Sequence, residues 1–197
     1  SNFPGVLMVE PYNKVVFYGD VQTPAIKASN SSVYTVGAWD LGFTGKGVNI
    51  AVVDTGIDNE HAGLDGKNIA GYDAVCSDDA LCVASLQEDY VSFDPDDQNQ
   101  HGTACAGMAA SNGILPNGQP SNFTGSAPDA DLIDVRIGTA VGAGPFENYI
   151  LEQEFYESAM DGLNWVIDNK DTAWAGVENE SFGIDIISLS WGITSHE

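Results

Sequence analysis

The stretch Val48-Asn49-Ile50-Ala51-Val52-Val53-Asp54-Thr55-Gly56-Ile57-Asp58 decides the fold. Its apolar run reads as a buried strand, and it ends on a carboxylate followed at once by a glycine turn. Open α/β sheets gather their chemistry at the carboxyl ends of such strands. Forty-seven residues after Asp54 comes His101-Gly102-Thr103-Ala104-Cys105-Ala106-Gly107, a histidine opening a helix of small residues. An aspartate that can orient an imidazole and a histidine that can act as general base are two members of a charge-relay triad.

Outward from this stretch, Ile69–Ala74, Leu132–Ile137 and Ile184–Leu189 read as further strands. Leu151, Phe155, Ala159, Leu163 and Ile167 recur every four residues and predict an amphipathic helix. A helix between two buried apolar runs makes a parallel βαβ unit with a right-handed crossover. The expected fold is α/β, a three-layer sandwich around a mostly parallel central sheet, incomplete in this chain. Val6-Leu7-Met8-Val9 and Val15-Val16-Phe17-Tyr18, separated by Glu10–Lys14, have the pattern of a hairpin. Residues 21–36 are polar and aperiodic, and read as a surface linker ahead of a domain over 37–197.

A chain of 197 residues, 43% of them hydrophobic, suffices for one domain or most of one. No run of eighteen apolar residues occurs, so no membrane-spanning helix is expected. Twenty-nine acidic residues against 6 basic ones give a formal charge of −23. Such a field repels nucleic acid and anionic membranes. It fits either a well-solvated exported surface or one relieved by bound or screening cations. Cys76 and Cys82 bracket a five-residue loop, Ser77 to Leu81, and would bridge in an exported protein. Cys105, among Ala and Gly, reads as a buried free thiol. Sequons at Asn30-Ser31-Ser32, Asn122-Phe123-Thr124 and Asn179-Glu180-Ser181 fit a secreted glycoprotein.

The Asp54 and His101 segments, in this order, closely resemble the motifs of the subtilases, the subtilisin-like serine proteases (peptidase S8). The likeness continues in Gly125-Ser126-Ala127-Pro128-Asp129-Ala130, similar to the family's entry into a core strand, and in Ile187-Ser188-Leu189-Ser190-Trp191-Gly192. It implies a serine endopeptidase acting on polypeptides, with Asp54 and His101 catalytic and no catalytic cofactor. By the same match Ser190, Trp191 and Gly192, and opposite them Gly142, Ala143 and Gly144, would offer strand edges to an extended substrate. Phe3-Pro4-Gly5-Val6-Leu7-Met8-Val9-Glu10 is similar to the last strand of the family's inhibitory propeptide, so residues 1–20 are a propeptide remnant or an ordinary N-terminal extension.

Two departures stand out. Where many subtilases read His-Pro-Asp-Leu and use that Asp for calcium, this chain has His61-Ala62-Gly63-Leu64. The acid-rich loop Asp78–Asp97 could hold structural calcium instead, or be a solvated loop. The family's Gly-Thr-Ser-Met-Ala is also missing, and Ser195 lacks the small-residue context a nucleophile needs. The resemblance therefore implies a serine supplied downstream or by a C-terminal companion segment. The rival readings are a non-catalytic scaffold in an extracellular assembly and, more remotely, a calcium-dependent adhesive module.

Overall fold

The computed structural model describes residues 19–75, 97, 99–138, 152–174 and 182–191. The predicted hairpin within 1–20, the Cys76–Cys82 loop, Gly142–Gly144 and Gly192 lie outside these residues.

Four parallel strands form the central sheet: β1 (Asn49–Asp54), β2 (Asn68–Asp73), β5 (Asp131–Arg136) and β6 (Ile186–Ser188). Their order is β2-β5-β1-β6, which surrounds β1 with neighbours and explains why all six of its residues are buried. Between β2 and β5 the chain makes helix α2 (His101–Ala110) and a small antiparallel hairpin, β3 (Asn112–Ile114) with β4 (Pro120–Thr124). Helix α3 (Glu152–Asp168) connects β5 to β6.

The two-residue period of the strands sorts their side chains into two cores. Ile50, Val52 and Leu132 face Cys105, Ala106 and Ala110 of α2, together with Ile57 and Leu64. Ala51, Val53, Ile133 and Val135 face Ala159, Trp165 and Val166 of α3. The result is helix, sheet, helix: an α/β sandwich with a parallel sheet, as the sequence led one to expect. Trp165 also stacks between Tyr72 and Trp174, with centroids 5.3 and 5.8 Å away. Among the described residues no helix is long and apolar enough to cross a membrane.

Three expectations need correcting. First, a four-residue repeat gains about 40° per step on a 3.6-residue helix, so the stripe drawn through Leu163 and Ile167 leaves the core. The buried face of α3 is Ser158, Ala159, Gly162, Trp165 and Val166, and Ile167 is 58% exposed. Second, residues 21–36 begin inside a helix, α1 (Gly19–Ala25), and Thr23 and Ala28 are buried. The backbone of Thr23 ties that turn together by accepting from the N–H groups of Ala28 and Ser29, so the segment packs on the domain before it becomes a surface connection. Third, the run Ile184–Leu189 yields only the three-residue β6, whose Ile186 and Ile187 are 49% and 43% exposed. It lies at the end of the strand order, with no described strand beyond it.

Candidate active site

Asp54 is the last residue of β1 and only 3% exposed. Its Oδ1 accepts from the Thr55 N–H at 2.8 Å and lies 2.7 Å from His101 Nδ1. A carboxylate can only accept, so Nδ1 carries the proton and Nε2 is left as the basic nitrogen. The imidazole is the first residue of α2, and its side chain is 49% exposed. The pair predicted from motifs 47 residues apart is thus in direct contact, with the acid sealed and the base open to solvent.

The contact depends on holding the start of α2 against the turn after β1. Asp97 does most of this. Its Oδ1 accepts from Thr55 Oγ1 and from the backbone N–H groups of Asn99 and Gln100, at 2.9, 3.0 and 2.9 Å. Its Oδ2 accepts from the Thr103 N–H and Thr103 Oγ1, at 2.9 and 2.7 Å. A buried carboxylate at a helix N-terminus satisfies otherwise orphaned N–H groups and complements the helix dipole. Thr55 Oγ1 in turn accepts from the Gly102 N–H at 2.9 Å, and Thr103 Oγ1 accepts from the Asp58 N–H at 2.9 Å. Each hydroxyl therefore donates to Asp97 and accepts a backbone N–H, knitting the two segments together. Gly56 permits the approach: its φ of +109° is a conformation that L side chains rarely adopt.

These anchors bear on calcium. Asp97, counted above in the acid-rich loop, spends its carboxylate on α2. Asp73, at the end of β2 ahead of that loop, is paired with Arg136 and accepts from the Val75 N–H at 3.1 Å. At Gly63, the position where the resemblance would have placed a calcium aspartate, an added Cβ would sit 2.7 Å from Ser111 Oγ. Neither loop end, nor position 63, has a carboxylate to offer an ion.

Cys105 is a buried free thiol one helical turn beyond His101, with Sγ 3.9 Å from Nδ1. Burial pushes the thiol pKa up, against a hydrogen bond with the Ser190 side chain, so it stays protonated and a poor nucleophile. Asp54, His101 and Cys105 form the one set among the described residues whose ligand atoms all lie within 4.8 Å of one another. Asp54 and His101 already satisfy each other, so an ion would have to break their bond. Ser190 and Trp191 lie just past β6, and Trp191 Nε1 donates to the Val53 carbonyl at 2.9 Å, tying that segment to the end of β1.

Sequence reading missed the work of Thr55, Thr103 and Asp134. The threonines were visible inside Asp-Thr-Gly and His-Gly-Thr, but their cross-connections were not. Asp134 stood out only as an acid within an apolar strand.

A subtilase family model matches residues 45–197. Over 149 residues the chain is 35% identical to the serine protease AprX of Bacillus subtilis, covering 76% of this chain and 26% of that protein. It is 35% identical over 157 residues to thermitase of Thermoactinomyces vulgaris, covering 80% of this chain and 41% of that protein. It is 28% identical to a calcium-dependent protease of Trichormus variabilis, covering 84% and 19% respectively. The chain thus spans less than half the length of each of these relatives. With an aspartate ending a central parallel strand, bonded to the histidine that opens the following helix, the chain belongs to the subtilase family.

Proposed function

We propose that this chain is the Asp- and His-bearing part of a secreted subtilisin-like serine endopeptidase. The observation that carries the reading is the 2.7 Å contact between buried Asp54 and the half-exposed His101 ring. In the proposed mechanism the serine hydroxyl attacks the scissile carbonyl while His101 Nε2 takes its proton. The same nitrogen then protonates the leaving amine, and Asp54 holds the tautomer and stabilises the imidazolium. An extended polypeptide would lie between the segments 142–144 and 190–192, held by main-chain hydrogen bonds.

The serine is assigned to a segment following Glu197 or to a companion chain. Supporting this is the edge of the sheet: Ile186, Ile187 and Leu189 are each nearly half exposed, and another strand and its helices would cover them. A fluorophosphonate probe applied to the complete protein should label one serine outside residues 1–197. Labelling within this chain, or none at all, would refute the assignment. In a non-reducing proteolytic digest Cys76 and Cys82 should emerge as one bridged peptide and Cys105 as a free thiol, as an oxidising exported environment allows. Free Cys76 and Cys82 would remove the bridge.

Structural calcium belongs to the same proposal. Its supports are the acids at 78, 79, 88, 89, 94 and 96 and the likeness to a protease named as calcium-dependent. A specific site saturates at low calcium and stabilises by roughly 2.7 kcal/mol at a hundredfold excess over Kd. Screening of the −23 charge would follow ionic strength alone. Melting temperature should therefore rise and plateau with calcium at constant ionic strength. A flat response leaves the loop as solvated surface.

A further inference from the structure

Asp134 is a fully buried carboxyl in the middle of β5, on the face that packs toward α2. Its Oδ2 accepts from the Ile57 N–H at 2.8 Å, and its Oδ1 has no partner among the described residues. Ile57 ends the turn that begins at Asp54. That turn supplies the Thr55 N–H to Asp54 Oδ1, the Thr55 hydroxyl to Gly102 and Asp97, and the Gly56 backbone on which Gly102 rests. One end of the turn is fixed by pairing within the sheet, where Asp54 opposes Arg136. The other end is fixed by the Ile57 side chain in the core and by Asp134.

We propose that Asp134 is a positioning residue for the proposed catalytic pair, acting through the Ile57 N–H to hold the turn that carries Asp54 and seats the start of α2. The inference rests on the endopeptidase reading for its kinetic consequence, and on geometry alone for its structural one. A backbone N–H buried without an acceptor is costly, so deleting the carboxyl would release the turn and not merely leave a gap.

The charge state follows from the surroundings. The charged groups acting on Asp134 are Arg136 on its own strand, Asp73 on β2 and Asp97 ahead of α2. Burial raises the Asp134 pKa well above the usual carboxylate range, opposed by the Ile57 hydrogen bond and by Arg136. The single guanidinium is already paired with Asp73, so burial favours the neutral form of Asp134, with Oδ2 as the accepting oxygen. A folded-state pKa that is raised makes folding take up a proton. The associated stability is complete below the unfolded value of about 3.9 and is lost as pH climbs towards the folded one.

Asparagine keeps the acceptor and removes the titration; valine and alanine remove the acceptor. In the complete enzyme Asp134→Asn should keep kcat and KM within about twofold of wild type. Asp134→Val and Asp134→Ala should lower kcat by roughly ten- to a hundredfold with KM little changed, the scale of a displaced catalytic group. On a His101→Ala background, which suppresses self-cleavage, Asp134→Asn should gain stability over its parent above about pH 4. The gain should approach tenfold in the unfolding equilibrium per pH unit until Asp134 ionises. Amide hydrogen exchange at Thr55, Ile57 and Gly102 should speed up in the valine variant, because the turn loses its anchor.

Wild-type kcat in a folded valine or alanine variant overturns the proposal, as does a crippled asparagine variant, which decides the matter even if the other two fail to fold. If the wild-type enzyme shows no peptidase turnover, the endopeptidase reading falls. Positioning is then judged on amide exchange at Thr55, Ile57 and Gly102, and unchanged exchange in the valine variant refutes it.

Discussion

In the complete protein His101→Ala is expected to abolish peptidase turnover, and Asp54→Asn to lower kcat on the order of 10⁴-fold. The two losses have different physical origins. Alanine at 101 removes the group that the proposed mechanism assigns to take the nucleophile's proton. Asparagine at 54 leaves the packing intact but can present an N–H where His101 Nδ1 needs an acceptor, which turns the ring to the wrong tautomer. The bond at stake is the 2.7 Å contact to a carboxylate that is only 3% exposed, so water cannot replace it readily. Steady-state kinetics on a peptide substrate checks both variants, with KM expected to change little. Turnover by the His101→Ala protein at the wild-type rate would end the triad assignment.

A smaller but still large effect is expected from Gly102→Ala, a single added methyl with no chemistry of its own. The new Cβ would lie 2.1 Å from the Gly56 carbonyl oxygen, 3.1 Å from the Gly56 nitrogen and 3.2 Å from Asp54 Cβ. Two of the three are backbone atoms of the turn held by Asp97, Thr55 and Asp134, so no flexible side chain can give way. The start of α2 must move, and His101 with it. Overpacking of this kind costs about 1–3 kcal/mol or more, and a displacement near 1 Å at the reacting groups costs about a hundredfold in rate. Melting temperature and kcat should therefore fall together. An alanine variant with both unchanged would show that the helix start is not seated on the turn as described.

Asp134 and Gly102 share a property that makes them informative. Neither bears on the reacting atoms, yet both act on one short turn that serves the acid and the helix start at once. Asp97 serves the same joint from the other side. Its five accepted hydrogen bonds explain why an acid close to the histidine is needed there for structure, and why the search for calcium ligands moves to the interior of the 78–96 segment.

The sequence by itself determined the elements with strong local signals. The run from Val48 to Asp54 reads as a buried strand, because every side chain but Asn49 and the terminal Asp54 is apolar and a glycine turn follows. The small residues after His101 could only be a closely packed helix, and their order after Asp54 pointed to the family. Composition likewise argued against a membrane-spanning helix before any coordinates. The phase of α3 was misread because a repeat of four drifts against a helix of 3.6, and only packing on the sheet chose Trp165 over Leu163. The burial of β6 was overstated because an apolar run does not say whether a neighbour covers it.

Tertiary structure alone decided the functions of the polar residues. Asp54, Asp73, Asp97 and Asp134 look alike in a chain with 29 acids. One meets an imidazole, one a guanidinium, one the N-terminus of a helix and one a single backbone N–H across 77 residues. Hydrogen bonding is short-ranged and directional, so the role of a carboxylate is set by what the fold brings within 3 Å of it. Nothing in its own neighbourhood along the chain could have supplied that.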